Sequence, residues 1–151
     1  MTWSASKIFT AFIENALEND VAFNLDTDTF KVALFNDTPT PDQTVSLANS
    51  AFGAGVWAAN EVFDAAEWAT GGQALDSLTS AFTTNVYKWD AADEVSAGTS
   101  ATLSSVFGCL VYDSSLSSYG ICYLYFGGAN SVTDGTFTVV FNSSGIFTLT
   151  L

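Results

Sequence analysis

The side chains that could do chemistry in this chain are mostly carboxylates, since Asp and Glu together number sixteen. Glu61 and Glu67 could act as the acid and the nucleophile of a glycosidase, which needs two carboxyl groups roughly 5 to 10 Å apart across a cleft. An acidic chain offers many such pairs, and nothing in the pattern singles out this one. The sequence therefore favours a protein that is not an enzyme.

Two groups of acids could instead hold calcium, which binds carboxylate and carbonyl oxygens. They are Asp26, Asp28 and Asp37 near the two ends of one predicted strand, and Asp90, Asp93 and Glu94 in one predicted loop. Neither group has the spacing of an EF-hand loop. Solvated acids in turns are the favoured interpretation, so we expect neither a metal nor a cofactor.

Tryptophans offer a third kind of site. Trp57, Trp68 and Trp89 could form a platform on which a sugar ring stacks, as in carbohydrate-binding sandwiches. The alternative is that the thirteen Phe, four Trp and five Tyr residues mostly fill a core and a subunit interface. We favour the core and interface, and keep carbohydrate as a weaker alternative.

The residues that are missing exclude more functions than the residues present suggest. The chain has no histidine, and its only cationic side chains are Lys7, Lys31 and Lys88. A Ser-His-Asp or Cys-His hydrolase, a histidine metal site and an arginine-anchored phosphate site are therefore excluded. The net charge of −13 repels nucleic acid and anionic membranes.

No stretch reaches the ~20 apolar residues of a membrane span, and no signal-peptide pattern is present. We therefore expect the protein to be made in the cytoplasm. Cys109 and Cys122 could pair across neighbouring strands, but two cysteines in a chain that is not secreted are more often buried free thiols.

The elements that must position any site are a helix and a set of strands. Residues 4–19 have the apolar spacing of an amphipathic helix, with Ser4 as its predicted N-cap. Residues 29–35 alternate as a strand, and residues 36–42 have turn chemistry. Residues 43–60 predict a short helical turn or a loop. Further strands are predicted over 73–84, 86–89, 104–112, 120–126, 136–141 and 145–151.

Short strands at this spacing predict a mainly β fold, an antiparallel, jelly-roll-like β-sandwich with one N-terminal amphipathic helix. We expect one domain over residues 1–151, with the helix and a linker in 1–24 and the sandwich in 25–151. The helix could pack on its own sheet, which is the favoured alternative, or dock on a neighbour. The residues chosen as a candidate interface are Trp3, Ile8, Phe9, Phe12, Trp57 and Trp68.

Several phrases occur in a fixed order along nearly the whole chain. They are residues 28–36 (DTFKVALFN), 68–75 (WATGGQAL), 108–113 (GCLVYD), and the segments FGG, SV, DGTFT and GIFTL between 126 and 149. In these phrases the sequence resembles a family of small virion proteins of tailed bacteriophages and bacterial prophages, which begin with a short helix followed by such a strand.

The resemblance implies a capsid decoration (cement) protein on the outer surface of the head, with the major capsid protein and copies of itself as partners. A tail or neck component is the alternative, and a host-binding or carbohydrate-binding module is a further one. The charge agrees with an exterior position, because packaged DNA would repel the protein from the interior. We therefore expect a virion protein made in the bacterial cytoplasm.

Overall fold

Antiparallel strands are the predominant regular element of the structure, a computed structural model that describes residues 3–151. The strands are β1 (Lys7–Ile8), β2 (Phe30–Phe35), β3 (Glu61–Val62), β4 (Gln73–Ala74), β5 (Thr79–Thr83), β6 (Val86–Asp90), β7 (Glu94–Val95), β8 (Ala101–Asp113), β9 (Tyr119–Gly135), β10 (Thr138–Val139) and β11 (Phe147–Thr150). The helices are α1 (Thr10–Glu18) and α2 (Leu47–Ser50), and residues Gly55–Ala58 form a 3₁₀ turn.

The main sheet is built around β2, whose sequence is apolar on both faces. Its path is β1-β9-β8-β2-β3, and β4 also pairs with β2. All residues of β2 except Lys31 are buried, as expected for a central strand that is covered on both sides. β2 and β8 run antiparallel, with Leu34 opposite Cys109. The predicted strand at 29–35 is confirmed.

A second sheet, in the order β11-β6-β5, covers one face of the main sheet. The two sheets meet where the ring of Trp89 on β6 lies 4.9 Å, centroid to centroid, from that of Phe30 on β2. Trp89 also lies 5.4 Å from Phe147 on β11. The predicted mainly β, antiparallel sandwich with one short N-terminal helix is confirmed.

The opposite face of the main sheet is covered by segments rather than by a sheet. Trp3, from the segment before β1, and Trp57, from the 3₁₀ turn, pack edge to face at 5.7 Å. Trp57 also lies 5.0 Å from Phe35. Residues 43–60, predicted as a short helical turn or a loop, contain α2 and the 3₁₀ turn, so the helical-turn alternative is confirmed.

The helix predicted over 4–19 is shorter than its pattern, since α1 begins at Thr10. Residues before it pair with the main sheet: Lys7 lies opposite Tyr123 and Ile8 opposite Cys122. Phe9 takes the N-cap position with no side-chain hydrogen bond, so the prediction of Ser4 as N-cap was wrong. Pairing with β9 satisfies backbone groups that a longer helix would have used. Strand β1 therefore places residues from the predicted 1–24 segment in the main sheet.

Several other boundaries differ from prediction: the strand predicted at 136–141 is reduced to β10, and β8 begins at Ala101 instead of residue 104. The run at 73–84 divides into β4 and β5, and β9 continues past residue 126 to Gly135. The strand can continue because Gly127 and Gly128 adopt φ of +83° and +153°, where the register with β8 shifts. Glycine tolerates such angles, so a bulge forms without ending the pairing. Within residues 3–151 no helix is long and apolar enough to span a membrane.

Cys109 on β8 and Cys122 on β9 are both buried free thiols, as predicted. Cys122 lies opposite Val111, two residues from Cys109, so the thiols are diagonal neighbours on one face of the sheet. Burial raises the pKa of both groups. Neither is placed to react as a thiolate.

We predict that a thiol reagent such as dithionitrobenzoate reacts slowly with the folded protein and rapidly with both cysteines after denaturation. The reason is that only the exposed thiolate is nucleophilic. The absorbance of the thiolate released from the reagent measures the number of cysteines that have reacted. Fast reaction in the native state, or no reaction after unfolding, would contradict this arrangement.

Candidate docking surface

The structure places the predicted interface residues in the core. Trp3, Phe9, Phe12, Trp57 and Trp68 are buried, and only Ile8, in β1, is partly exposed. Large apolar side chains gain most when they are removed from water, and this small sandwich uses these residues to cover its main sheet. As a set they are therefore not available for contact with a partner.

The tryptophans proposed as a sugar platform are likewise buried. Trp57, Trp68 and Trp89 lie in three different parts of the core, and each contacts aromatic rings of its own chain. The indole of Trp89 donates to the carbonyl oxygen of Leu25 at 2.9 Å. The favoured interpretation of these residues as core is confirmed.

We predict that all four tryptophans emit at short wavelength and that acrylamide quenches them weakly. Buried indoles are shielded from water and from soluble quenchers. Stern–Volmer slopes before and after denaturation provide the measurement. Strong quenching in the native state, or quenching by a sugar, would show that an indole is exposed.

The two glutamates considered as a glycosidase pair bind backbone amides instead. Glu61 accepts from the amide of Gly71 at 2.7 Å, and Glu67 accepts from the amide of Gly98. Tyr112 donates its hydroxyl to the carbonyl oxygen of Gly71 at 2.6 Å, and burial raises the pKa of Tyr112 to about 12. Both carboxylates thus anchor loops to the sandwich.

The acids considered for calcium are spread over separate contacts. Asp26 accepts from the hydroxyl of Ser80 at 2.7 Å, and Asp90 pairs with Lys88 at 2.8 Å. Glu94 accepts from the amide of Asp76 at 3.0 Å. In the part of the chain that the structure describes, no group of three or more His, Cys, Asp or Glu side chains could hold a metal ion.

An apolar groove of about 370 Å³ lies between α1 and β11 and is called here the α1–β11 groove. Buried Phe12 and Phe147 form its floor, and their rings lie 6.2 Å apart. One wall is helix α1, and the other wall is formed by the end of the second sheet. The remaining lining residues are Ile13, Ala16, Leu17, Leu25, Tyr87, Leu149, Thr150 and Leu151.

The leucine side chains at the two rims of this groove are unusually exposed for an apolar residue. Leu17 on the helix is 82% exposed and Leu151 on the opposite side is 83% exposed. The apolar surface continues across the second sheet, because Leu149, Tyr87 and Phe82 form a row of directly paired residues. Phe82 is itself 58% exposed. A continuous apolar surface of this kind is typical of a binding site.

Acidic groups are exposed on the helix that forms one wall of the groove and just beyond its end. Glu14 and Glu18 directly follow the lining residues Ile13 and Leu17 in α1, and Asp20 lies just beyond the helix end; all three are exposed. The last turn of α1 has no basic residue to offset the negative end of the helix dipole. The three lysines are not among the lining residues. The helix that forms one wall of the groove thus has apolar residues on the groove side and only negative charges among its other residues.

Part of this site was visible in the sequence. Ile13, Ala16 and Leu17 belong to the predicted apolar side of the helix, but Ile13 is only half-buried and the other two are exposed, whereas Phe12 in the first turn is buried. The alternation of Leu149 and Leu151 was also visible. What the pattern could not show is that these two segments lie opposite each other.

In comparisons with protein-family models, curated proteins and solved structures, nothing matches this chain.

Proposed function

We propose that this protein is a non-enzymatic structural protein of a tailed-bacteriophage virion that decorates the outer surface of the head. The observation that carries the proposal is the α1–β11 groove, an exposed apolar surface on a rigid sandwich whose net charge is −13. The charge keeps free copies apart in solution, and the groove supplies a contact surface. The resemblance of residues 28–36 and of the other phrases to phage virion proteins supplies the virion context.

A decoration protein must be soluble alone and still cover a symmetric lattice. Many copies can each bind through a modest patch, because copies bound at neighbouring lattice sites strengthen one another's binding. Carboxylates that anchor loops, as Glu61 and Glu67 do, suit a rigid body of this kind. Major capsid protein and neighbouring copies of this chain are the proposed partners, and the virion exterior is the proposed location.

The test is to mix the purified protein with undecorated heads of a phage or prophage that encodes it. Decoration predicts saturable binding, with a copy number set by the head symmetry, and greater resistance of the heads to heat. Sedimentation of the heads and scanning calorimetry provide the measurements. Binding only to tails would support the tail or neck alternative, and binding to a glycan array would support a carbohydrate-binding module.

A further inference from the structure

We propose that the α1–β11 groove binds a basic amphipathic segment, one with apolar anchors flanked by lysine or arginine, from the protein's partner. The inference rests on the proposed function in one respect, since the partner there is a capsid protein. The chemistry of the segment follows from the groove itself, from its apolar walls and from the charges beside them.

The apolar half of the proposal follows from the depth and exposure of the groove. Phe12 and Phe147 provide a packed floor, so an inserted side chain meets fixed aromatic rings rather than a mobile loop. Leu17 and Leu151 stand on opposite rims. An amphipathic helix placed in such a groove buries its apolar anchors against both walls. Exposed leucines of this kind gain free energy only when a partner covers them.

The basic half follows from the charges. Glu14 and Glu18 are exposed on α1, Asp20 is exposed just beyond the helix end, and the exposed Asp26 directly follows the lining residue Leu25. Asp26 is held there by the hydroxyl of Ser80 on β5. The negative end of the α1 dipole adds to this field. A partner with cations around its anchors meets complementary charge, whereas an acidic partner is repelled.

The same charges disfavour a second copy of this chain as the occupant. Two copies placed groove to groove would bring two sets of Glu14, Glu18 and Asp20 together, and each copy carries a net charge of −13. The chain's own lysines are not among the lining residues of the groove. Lys88 is held by Asp90 and by the carbonyl oxygen of Ser143, and Lys7 and Lys31 lie in strands of the main sheet.

The experiment uses two synthetic helical peptides of about 14 residues, a length that spans about 21 Å. Both carry leucines at helical spacing, and the other positions are lysine in one peptide and glutamate in the other. Fluorescence anisotropy of each labelled peptide measures its affinity for the intact protein. We expect the lysine peptide to bind and the glutamate peptide to bind at least about tenfold more weakly. Equal binding of the two peptides would overturn the basic half of the proposal.

Long-range attraction between a cationic peptide and an acidic protein is separated from docking by two matched variants. Leu17→Asp and Val140→Asp each add one negative charge at an exposed apolar residue, and Val140, 71% exposed, is not a lining residue of the groove. Docking predicts about a tenfold loss of affinity for Leu17→Asp and a change within about twofold for Val140→Asp. Equal effects, or tighter binding of both, would overturn the proposal.

A second pair of variants tests the charges without touching the apolar walls. Glu18→Gln and Asp134→Asn each remove one exposed negative charge. We expect only Glu18→Gln to weaken binding of the lysine peptide, by about threefold at low salt. Sedimentation velocity tests whether a second copy of the chain occupies the groove instead. A dimer of the unmodified protein that Leu17→Asp dissociates would overturn the proposal.

The outcomes separate this inference from the proposed function. If the protein binds heads but Leu17→Asp leaves both head binding and peptide binding unchanged, the groove is not the contact and only the inference fails. If the peptide binds in the groove but undecorated heads are not bound, the inference holds for a partner other than a capsid protein and the virion role fails.

Discussion

Replacing Trp89 with alanine is expected to lower the free energy of unfolding by about 3 to 5 kcal/mol, the range for a large aromatic side chain lost from a core. Trp89 is fully buried on β6 and joins the two sheets through Phe30 on β2. It also contacts Phe147 and fixes Leu25 through its indole hydrogen bond. Its removal leaves a cavity where the sandwich is held together. Urea unfolding followed by circular dichroism gives the free energy.

A conservative variant keeps this prediction testable if the alanine variant fails to fold. Trp89→Phe keeps a ring between the sheets but loses the hydrogen bond to the Leu25 carbonyl oxygen, so it should cost less than Trp89→Ala and leave the fold intact. Phe82→Ala serves as the control, because Phe82 lies on the same sheet and is 58% exposed. If Trp89→Ala cost no more than Phe82→Ala, the packing of the two sheets described above would be wrong.

Replacing Asp28 with asparagine is expected to stabilise the protein at neutral pH by about 1 to 2 kcal/mol, because it supplies a donor to a buried carboxylate. Asp113, at the end of β8, is fully buried. Its Oδ1 accepts from the amide and the hydroxyl of Ser115. Its Oδ2 is buried without a hydrogen-bond partner among residues 3–151. The carboxyl of Asp28 lies beside it, and after burial both its charge and its contact with Asp113 raise the pKa of Asp113.

The pH dependence follows from the direction of the pKa shift. Burial raises the pKa of Asp113, the hydrogen bonds from Ser115 oppose that rise, and the charge of Asp28 adds to it. A carboxyl whose pKa is raised by folding stabilises the fold most below its unfolded pKa of about 3.9. That contribution is lost as the pH rises through the folded value. The gain from Asp28→Asn should therefore be larger at pH 7 than at pH 4.

The asparagine introduced by Asp28→Asn can make both contacts. Its side-chain oxygen can accept from the amide of Asn24, as Asp28 does now at 2.6 Å, while its amide group faces Asp113. Asp26→Asn is the matched control, since it removes the same charge from the same turn but leaves the carboxyl pair unchanged. Urea unfolding at several pH values measures the difference. Equal gains from the two variants would mean that general charge relief, and not this carboxyl pair, is responsible.

Sequence periodicity predicted the parts of the fold that depend on local pattern. The alternation at residues 30–35, apolar on both faces, marked the central strand, and the run of short β segments marked the sandwich. The start of α1 could not be predicted in this way. Lys7 and Ile8 have a helical pattern, but they pair with β9, more than one hundred residues away. Tertiary hydrogen bonding overrides local propensity in such cases.

The burial of most candidate interface residues could not be predicted, for a related reason. Periodicity identifies an apolar side chain but not whether its own chain covers it. Trp3 packs directly on Gly108 of β8 and can be buried there because Gly108 has no side chain. A Cβ at Gly108 would lie 2.5 Å from the Trp3 ring. Conversely, Leu17 belongs to the predicted apolar side of the helix but is largely exposed to solvent. Only the assembled fold distinguishes the buried tryptophan from the exposed leucine.

The central claim is that this acidic sandwich works as a structural part of a virion by docking on the exterior of the head. Electron cryomicroscopy of virions from a phage or prophage that encodes the chain tests it most directly. We predict copies at regular lattice positions on the outer surface of the head, with α1 and β11 turned toward the capsid shell. Copies found at the tail, inside the head against the packaged DNA, or nowhere on the particle would contradict the claim.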